Sequence, residues 1–213
     1  MDCCAGHAND EFFDAKVARR ELKRYRKRGP AARTRQLLTA IEAASLPQGS
    51  TLLDIGGGVG TIHHRLLEQG VAHATQVDAS SAYLAAAAEE VERLGHSGRV
   101  DFRQGDFHAL AAELPPFDIV TLDRVVCCDP DYESMLGQAA AHARRVVAFT
   151  YPRRRWIVRV VVGFGNVVCR IAGRKFRAYV HSPGAMAAVL ERNGMRRRWA
   201  GGTFIWAAEV FER

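Results

Sequence analysis

The sequence predicts an α/β fold built on a mostly parallel sheet with helices on both faces. From Thr51 onward, short apolar runs alternate with helical segments, the rhythm of strands joined by crossover helices. The first four of these runs end at or just before a glycine or aspartate, as strand ends do where open α/β sheets bind ligands.

The strands are read as TLLDI (51–55), ATQVD (74–78), RVDFRQ (99–104), DIVTLD (118–123) and RVVAFT (145–150), with Pro115 and Pro116 leading into the fourth. A helix from about Thr61 to Gln69 follows the first strand. Ser80 caps another, with Leu84, Ala87, Ala88, Val91 and Leu94 on one face. Ahead of the sheet, Asp10 is read as capping a helix that carries Phe12, Phe13, Val17, Leu22 and Tyr25, ended by Gly29-Pro30. A second helix places Leu37, Leu38, Ile41 and Leu46 at helical spacing before Pro47 and Gly49 stop it. After the sheet, Ser182-Pro183 opens a helix that Asn193-Gly194 closes. MRRRWAG and TFIWAAEVFE then read as a hairpin turning at Gly201-Gly202.

At 213 residues, 48% of them hydrophobic and 25% charged, the chain has the length and composition of one globular domain, not those of a disordered or membrane protein. The expected parts are a helical cap (1–48), a core (51–150), an insertion or lid (153–181) and a closing helix and hairpin (182–213). The formal net charge of +7 is concentrated at RRELKRYRKR (19–28), Arg153 to Arg155 and Arg196 to Arg198. This is either a set of solvated faces or a surface for an anionic partner, and charge alone does not choose. Five cysteines, four of them in the adjacent pairs Cys3-Cys4 and Cys127-Cys128, form no disulfide framework and suit a reducing cytoplasm. Adjacent cysteines lack the spacing that grips zinc; Cys3, Cys4 and His7 would need a distant fourth ligand, so no metal is expected. The segment around Asn9, Asp10 and Glu11 lacks the pattern of a signal peptide. The longest apolar stretch, Trp156 to Ala172, is too short to span a bilayer and is interrupted by Arg159, Asn166 and Arg170. The expectation is a soluble protein with at most surface contact to a membrane.

The stretch that carries chemistry is Asp54-Ile55-Gly56-Gly57-Gly58-Val59-Gly60, at the end of one strand and the start of a helix. Its glycines allow a tight turn and leave no side chain between backbone and ligand. It reads D-x-G-x-G-x-G, not the G-x-G-x-x-G of dinucleotide sites, because Thr61 stands where a third glycine or alanine belongs. A pyrophosphate wants a helix N-terminus with no competing anion, whereas a ligand carrying an ammonium and a sulfonium gains from a carboxylate such as Asp54. Asp78 ends the second strand, where an acid accepts hydrogen bonds from both ribose hydroxyls. Gly105-Asp106-Phe107 follows the third, where an acid can take the adenine amino group and an apolar ring can flank the base. Asp123-Arg124-Val125 ends the fourth. The bland alternative is that each aspartate merely caps a helix.

Residues 51–150 and the closing hairpin resemble the class I S-adenosylmethionine (SAM) dependent methyltransferases. The resemblance maps the glycine motif on Asp54, Gly56, Gly58 and Gly60, the ribose acid on Asp78 with Ala79 beside it, and the adenine-side acid on Asp106 between Gly105 and Phe107. The motif after the fourth strand maps on Asp123, Arg124 and Val125. It implies a Rossmann-like seven-stranded sheet with an antiparallel C-terminal strand, and SAM as cofactor. Two N-terminal helices, LDIGGGVG, VDAS and LDRVV are together similar to small-molecule methyltransferases including the magnesium-protoporphyrin O-methyltransferase group, which implies a small-molecule acceptor methylated on oxygen. Nucleic-acid N-methylating members often carry N/D-P-P-Y/F after the fourth strand. Here Asp129-Pro130 lacks the second proline and the aromatic, which counts against exocyclic-amine chemistry. The rival expectations are an RNA methyltransferase whose basic N-terminal helices meet phosphates, and a regulatory protein that binds SAM or a nucleotide without catalysis.

Methyl transfer is an in-line displacement at an activated carbon, so alignment matters more than a base, and a carboxylate acceptor needs no base. The acceptor-side candidates are Tyr25, Tyr151 and His181 as catalytic groups, with Arg124, Asp129 and Tyr179 near them. Each has a duller alternative: His181 as a loop hydrogen bonder, Tyr25 as a packing residue, Cys127 and Cys128 as small buried residues. If 153–177 is helical, Trp156, Val160, Gly163, Val167 and Ile171 share a face, as a lid, a membrane contact or an extra core-covering helix would require.

Overall fold

In the computed structural model, which describes residues 13–44 and 46–213, the alternation seen in the sequence becomes a seven-stranded sheet between two layers of helices. The elements are α1 (Ala15–Arg28), α2 (Ala32–Glu42), β1 (Thr51–Ile55), α3 (Thr61–Glu68), β2 (His73–Asp78), α4 (Ser81–Arg93), β3 (Val100–Gln104), α5 (Phe107–Leu110) and β4 (Phe117–Leu122). Then come α6 (Tyr132–His142), β5 (Ala143–Pro152), α7 (Trp156–Ile171), α8 (Pro183–Arg192), β6 (Arg196–Gly202) and β7 (Trp206–Glu212). The strand order is β3-β2-β1-β4-β5-β7-β6, with β1 to β5 parallel and β7 antiparallel to both neighbours. The order reverses between β1 and β4, so the carboxyl ends of β3, β2, β1 and β4 open on one crevice.

Neighbouring residues of a strand look to opposite faces, and both faces are buried. Leu52, Ile119, Val146 and Ala148 pack with Leu37, Leu38 and Ile41 of α2 and with Ile62 and Leu66 of α3. Leu53, Val120, Val147 and Phe149 pack with Leu136 and Ala139 of α6 and with Met186 and Leu190 of α8. A third, smaller cluster joins Ala18 and Leu22 of α1 to Tyr83 and Ala86 of α4. Ser80 secures that junction: its hydroxyl accepts from the Tyr83 amide (3.2 Å) and donates to the Phe13 carbonyl (2.7 Å).

Several local expectations are revised. Asp14, whose carboxylate accepts from the Val17 amide at 2.9 Å, caps α1; Asp10, Phe12 and the Cys3, Cys4, His7 set lie outside the described residues. Helix α2 stops at Glu42, short of Leu46, which packs beside the cluster of its face. The hairpin does not turn at Gly201-Gly202. Both belong to β6, where a Cβ on Gly201 would strike the Trp199 ring and one on Gly202 the Trp206 carbonyl. The turn is made by Thr203, whose amide donates to the Trp206 carbonyl and whose hydroxyl accepts from the Trp206 amide.

The segment after β5 forms α7, and it does not cover the core. Only Val158 of α7 is buried, while Trp156, Val160, Phe164 and Ile171 are among the side chains that face outward. No helix among the described residues is long and apolar enough to cross a membrane.

The two kinds of apolar helix face should respond oppositely to truncation. In chemical denaturation, Leu136→Ala, which empties a fully buried site under α6, should cost about 2–5 kcal/mol. Phe164→Ser on α7, 69% exposed, should change stability by no more than about 0.5 kcal/mol. A large loss at Phe164 would mean that α7 is part of the core.

Candidate active site

The turn between β1 and α3 is held open by glycine. Gly56, Gly58 and Gly60 all take left-handed backbone angles (φ 59°, 57° and 80°), which L side chains adopt with strain. Space is refused as well: a Cβ on Gly56 would lie 2.5 Å from Val125 Cγ2, and one on Gly60 would strike His63 and His64. Those two histidines are fully buried under the loop; burial, then the neighbouring His63 and His96, push the His64 pKa down to about 2, so its ring is neutral.

Four carboxylates stand at or just beyond the ends of the four adjacent strands, each fixed by its own hydrogen bonds. Asp54 on β1 is 1% exposed; it accepts from Thr121 Oγ1 (2.7 Å) and lies 3.3 Å from His63 Nδ1. Asp78 on β2 accepts from the Gly58 amide (3.0 Å) and the Ser80 amide (2.9 Å). Burial nonetheless raises its pKa to about 6, and those amides only moderate the effect. Asp106 caps α5 through the His108 amide (2.9 Å). Asp123 accepts from Thr34 Oγ1 and Thr150 Oγ1, both at 2.6 Å, with Arg33 Nε at 3.5 Å.

Two spaces that share lining residues lie along this row. The larger is about 840 Å3 counting its open mouth. Asp78, Ala79, Gly105, Asp106 and Phe107 form one end of it; Gly56, Asp123, Arg124 and Val125 form the other. Asp54 is absent from this wall and faces the second, smaller recess, beside Gly57, Arg24 and Arg33. Gly56, Asp123 and Arg124 border both spaces, and Gly58 and Gly60 shape the loop from behind.

Arg124 at this junction has φ 68°, the one non-glycine residue with positive φ among the described residues. Its amide donates to Thr150 Oγ1 (2.9 Å), and its guanidinium meets Glu21 at 2.6 Å. Burial works against the charge of Glu21, but Arg124, the Tyr83 hydroxyl and Arg24 outweigh it and hold its pKa low. Helix α1 is thereby locked to the pocket rim. Strain of this sort, about 1–3 kcal/mol, persists where surrounding bonds over-determine it.

The three expected catalytic groups do not reach the pocket wall. Tyr151 is buried in the sheet, donating to Glu209 (2.5 Å), and burial and that carboxylate push its pKa up. Tyr25 stacks on His64 and borders a separate groove with Gly29 and Pro30; burial pushes its pKa up to about 12. His181 Nε2 sits 3.1 Å and 2.9 Å from the carbonyls of Val126 and Asp129 and packs between Tyr132 and Tyr179, so it ties loops together. Tyr179 likewise binds by its amide to the Cys127 carbonyl.

Other residues stand there instead. Phe13, Cys128, Asp129 and Met135 line the larger space. Asp129 is paired with His108 (2.7 Å), whose other nitrogen is 3.1 Å from Gln138. The hydrogen bond to Asp129 raises the His108 pKa. Asp129 was legible as an acid after the fourth strand; nothing in the sequence pairs it with a histidine 21 positions earlier.

With this geometry, the likeness to known proteins is specific. Residues 52–146 match the family model described as the methyltransferase domain. Over 74 residues the chain is 42% identical to a release factor glutamine methyltransferase of Cereibacter sphaeroides; the match takes in 34% of this chain and 27% of that protein's length. Magnesium protoporphyrin IX methyltransferase of Synechocystis PCC 6803, solved with bound SAM, superposes with TM-score 0.71 at 17% identity, covering 100% of this chain and 98% of that one. A putative methyltransferase from Haloferax volcanii, solved with the Trm112 methyltransferase activator, gives TM-score 0.70 at 15% identity over 96% of each chain. At such identities the structural likeness speaks for the fold. Residues 52–146 thus carry the likeness to a methyltransferase domain, set in a fold shared with a methyltransferase solved with SAM.

Gly57 tests how tightly the loop is clamped. A Cβ there would lie 2.6 Å from Asp54 Oδ2 and 2.9 Å from Gln76 Cδ, and Gln76 is itself bound to the Gly58 carbonyl. Gly57→Ala should therefore cost about 1–3 kcal/mol in denaturant unfolding. Wild-type stability in that variant would show that the loop yields freely.

Proposed function

We propose that this domain takes SAM as methyl donor and methylates an oxygen of a small-molecule acceptor. The observation that carries the reading is the pairing of an acid-walled pocket with an arginine-bearing recess across Gly56, Asp123 and Arg124.

The donor set matches the cofactor's chemistry group by group. Asp78 has lone pairs left for two ribose hydroxyls after accepting two backbone amides, and Asp106 has an oxygen left for an adenine amino group. Phe107, buried at the same end, offers an apolar flank to a base. In the recess, Arg33 Nε is buried and makes no hydrogen bond, which suits a carboxylate; Asp54 and Asp123 suit an ammonium. Bound SAM supplies a methyl group already activated on a sulfonium. The chain's own work is then to align the acceptor and exclude water. Asp129, held by His108, is the polar group on the wall that can orient an acceptor hydroxyl, and Phe13 and Met135 give it apolar company.

A small acceptor is favoured over RNA by what the basic N-terminal helix does. Arg26 of α1 is bound to Glu90 (2.7 Å) and Glu89 (2.8 Å), and Arg24 pairs with Glu21, so part of that charge is spent within the fold and not offered to phosphates.

Calorimetry with SAM tests the donor site. Asp78→Ala should weaken binding by about 1.5–3 kcal/mol, the scale of hydrogen bonds to a charged group; unchanged affinity would remove Asp78 from the ribose. The pH dependence has a definite sign. Ribose hydroxyls donate to the ionised carboxylate, so affinity should be full above the free-chain pKa of about 6 and fall by up to about tenfold per pH unit below it. Ligand-free stability should move the other way: the folded chain holds this proton more tightly than the unfolded one, so the Asp78 contribution is lost as pH rises from about 4 through 6. SAM affinity that is flat between pH 5 and 7 would contradict the assignment. For the acceptor, S-adenosylhomocysteine release should be stimulated by small phenols or carboxylic acids and not by bulk RNA; the reverse result would overturn the acceptor class.

A further inference from the structure

The apolar face of α7 has no partner within the fold. All the large hydrophobic side chains that stand exposed among the described residues are on α7 or at the β6–β7 turn, where Phe204 and Ile205 project. The two parts adjoin: the Arg155 guanidinium lies 4.2 Å over the Phe204 ring, and the Arg153 amide donates to the Ile205 carbonyl at 2.8 Å. At the roughly 100° per residue of an α-helix, the outward residues Trp156, Ile157, Val160, Phe164, Val168 and Ile171 fall in one arc of about 120°. Val158 and Asn166, the latter bound both ways to the Ala178 backbone, hold the opposite side to the protein.

Charge surrounds this face with a single sign. Residues 153–177 contain eight basic residues and no acidic one, more than the +7 of the whole chain, so the rest of the sequence is slightly acidic. Arg153 to Arg155 sit at one end of α7, Arg174, Lys175 and Arg177 beyond the other, and Arg159 and Arg170 on one flank. Among the described residues, Arg154, Arg155, Arg159 and Arg170 have no carboxylate partner.

We propose that α7 and the β6–β7 turn dock this protein on a bilayer surface containing anionic lipids, the helix lying in the interface with its apolar arc inward and its arginines at the headgroups. Sixteen residues, about 24 Å of helix, lie along a membrane and do not span it. Basic residues beside an inserted apolar face are the arrangement that anionic headgroups attract. A second copy is a poor occupant, since a two-fold contact would set eight basic residues against eight with no acid to pair them. RNA would answer the arginines and leave the hydrocarbon uncovered. The docked face also adjoins the pocket: Phe176, just past α7, packs edge-on to Phe13 (5.6 Å), which lines the larger space.

Co-sedimentation of the full chain with vesicles tests this, using phosphatidylcholine alone and phosphatidylcholine with phosphatidylglycerol. The anionic vesicles should bind at least about tenfold more tightly than the neutral ones, and less as salt is raised. Val160→Asp combined with Phe164→Asp, both outward, should weaken that binding by about tenfold or more while unfolding and SAM titration stay as in wild type. The SAM titration reads the donor site separately, so failure of one reading is distinguishable from failure of the other. Absence of binding to anionic vesicles, binding indifferent to the double substitution, or a dimer that the double substitution dissolves while vesicles go unbound would each overturn the proposal.

Discussion

Carboxylates gathered at the ends of neighbouring strands repel one another, and the structure around them is organised to make that gathering tolerable. Asp106, Asp78, Asp54 and Asp123 stand at or just beyond the ends of β3, β2, β1 and β4, which lie side by side. None is left to water alone. Hydroxyls answer Asp123 and Asp54, backbone amides answer Asp78, and the first turn of α5 answers Asp106. The compensation is incomplete at Asp78, whose pKa stays high, and an incompletely satisfied acid facing a pocket favours a ligand with donors and positive charge.

The glycine loop and α1 complete the same arrangement from above. Without side chains the loop can sit against Asp54, Gln76 and Val125, so its Gly58 amide reaches Asp78. Helix α1 contributes Glu21, which binds Tyr83 and Arg124 together and keeps the strained backbone after β4 in place. A residue 103 positions away from Arg124 thus fixes a wall that the two spaces share.

The parallel sheet and its acids were legible because both depend on local pattern: alternation or runs of apolar residues, then glycine or aspartate at the end. Boundaries shifted where tertiary contacts decided, as at Gly201 and Gly202, conserving strand pairing under Trp199 and Trp206 where the sequence reads as a turn. The acceptor-side candidates Tyr25, Tyr151 and His181 failed to reach the pocket wall for a related reason. Proximity in sequence to a strand end does not say which way a side chain points, and Glu209 and His64, far along the chain, capture the two phenols. Periodicity revealed that α7 has an apolar face, but not that this face looks away from the core.

These features converge on the sign of the charge that the pocket accepts, and competitive calorimetry with two nucleoside cofactors reads it directly. The account predicts that SAM, with its sulfonium and ammonium, binds stoichiometrically, and that NAD, whose pyrophosphate would confront the aspartates, does not displace it. Preferential binding of NAD would contradict the assignment at its root.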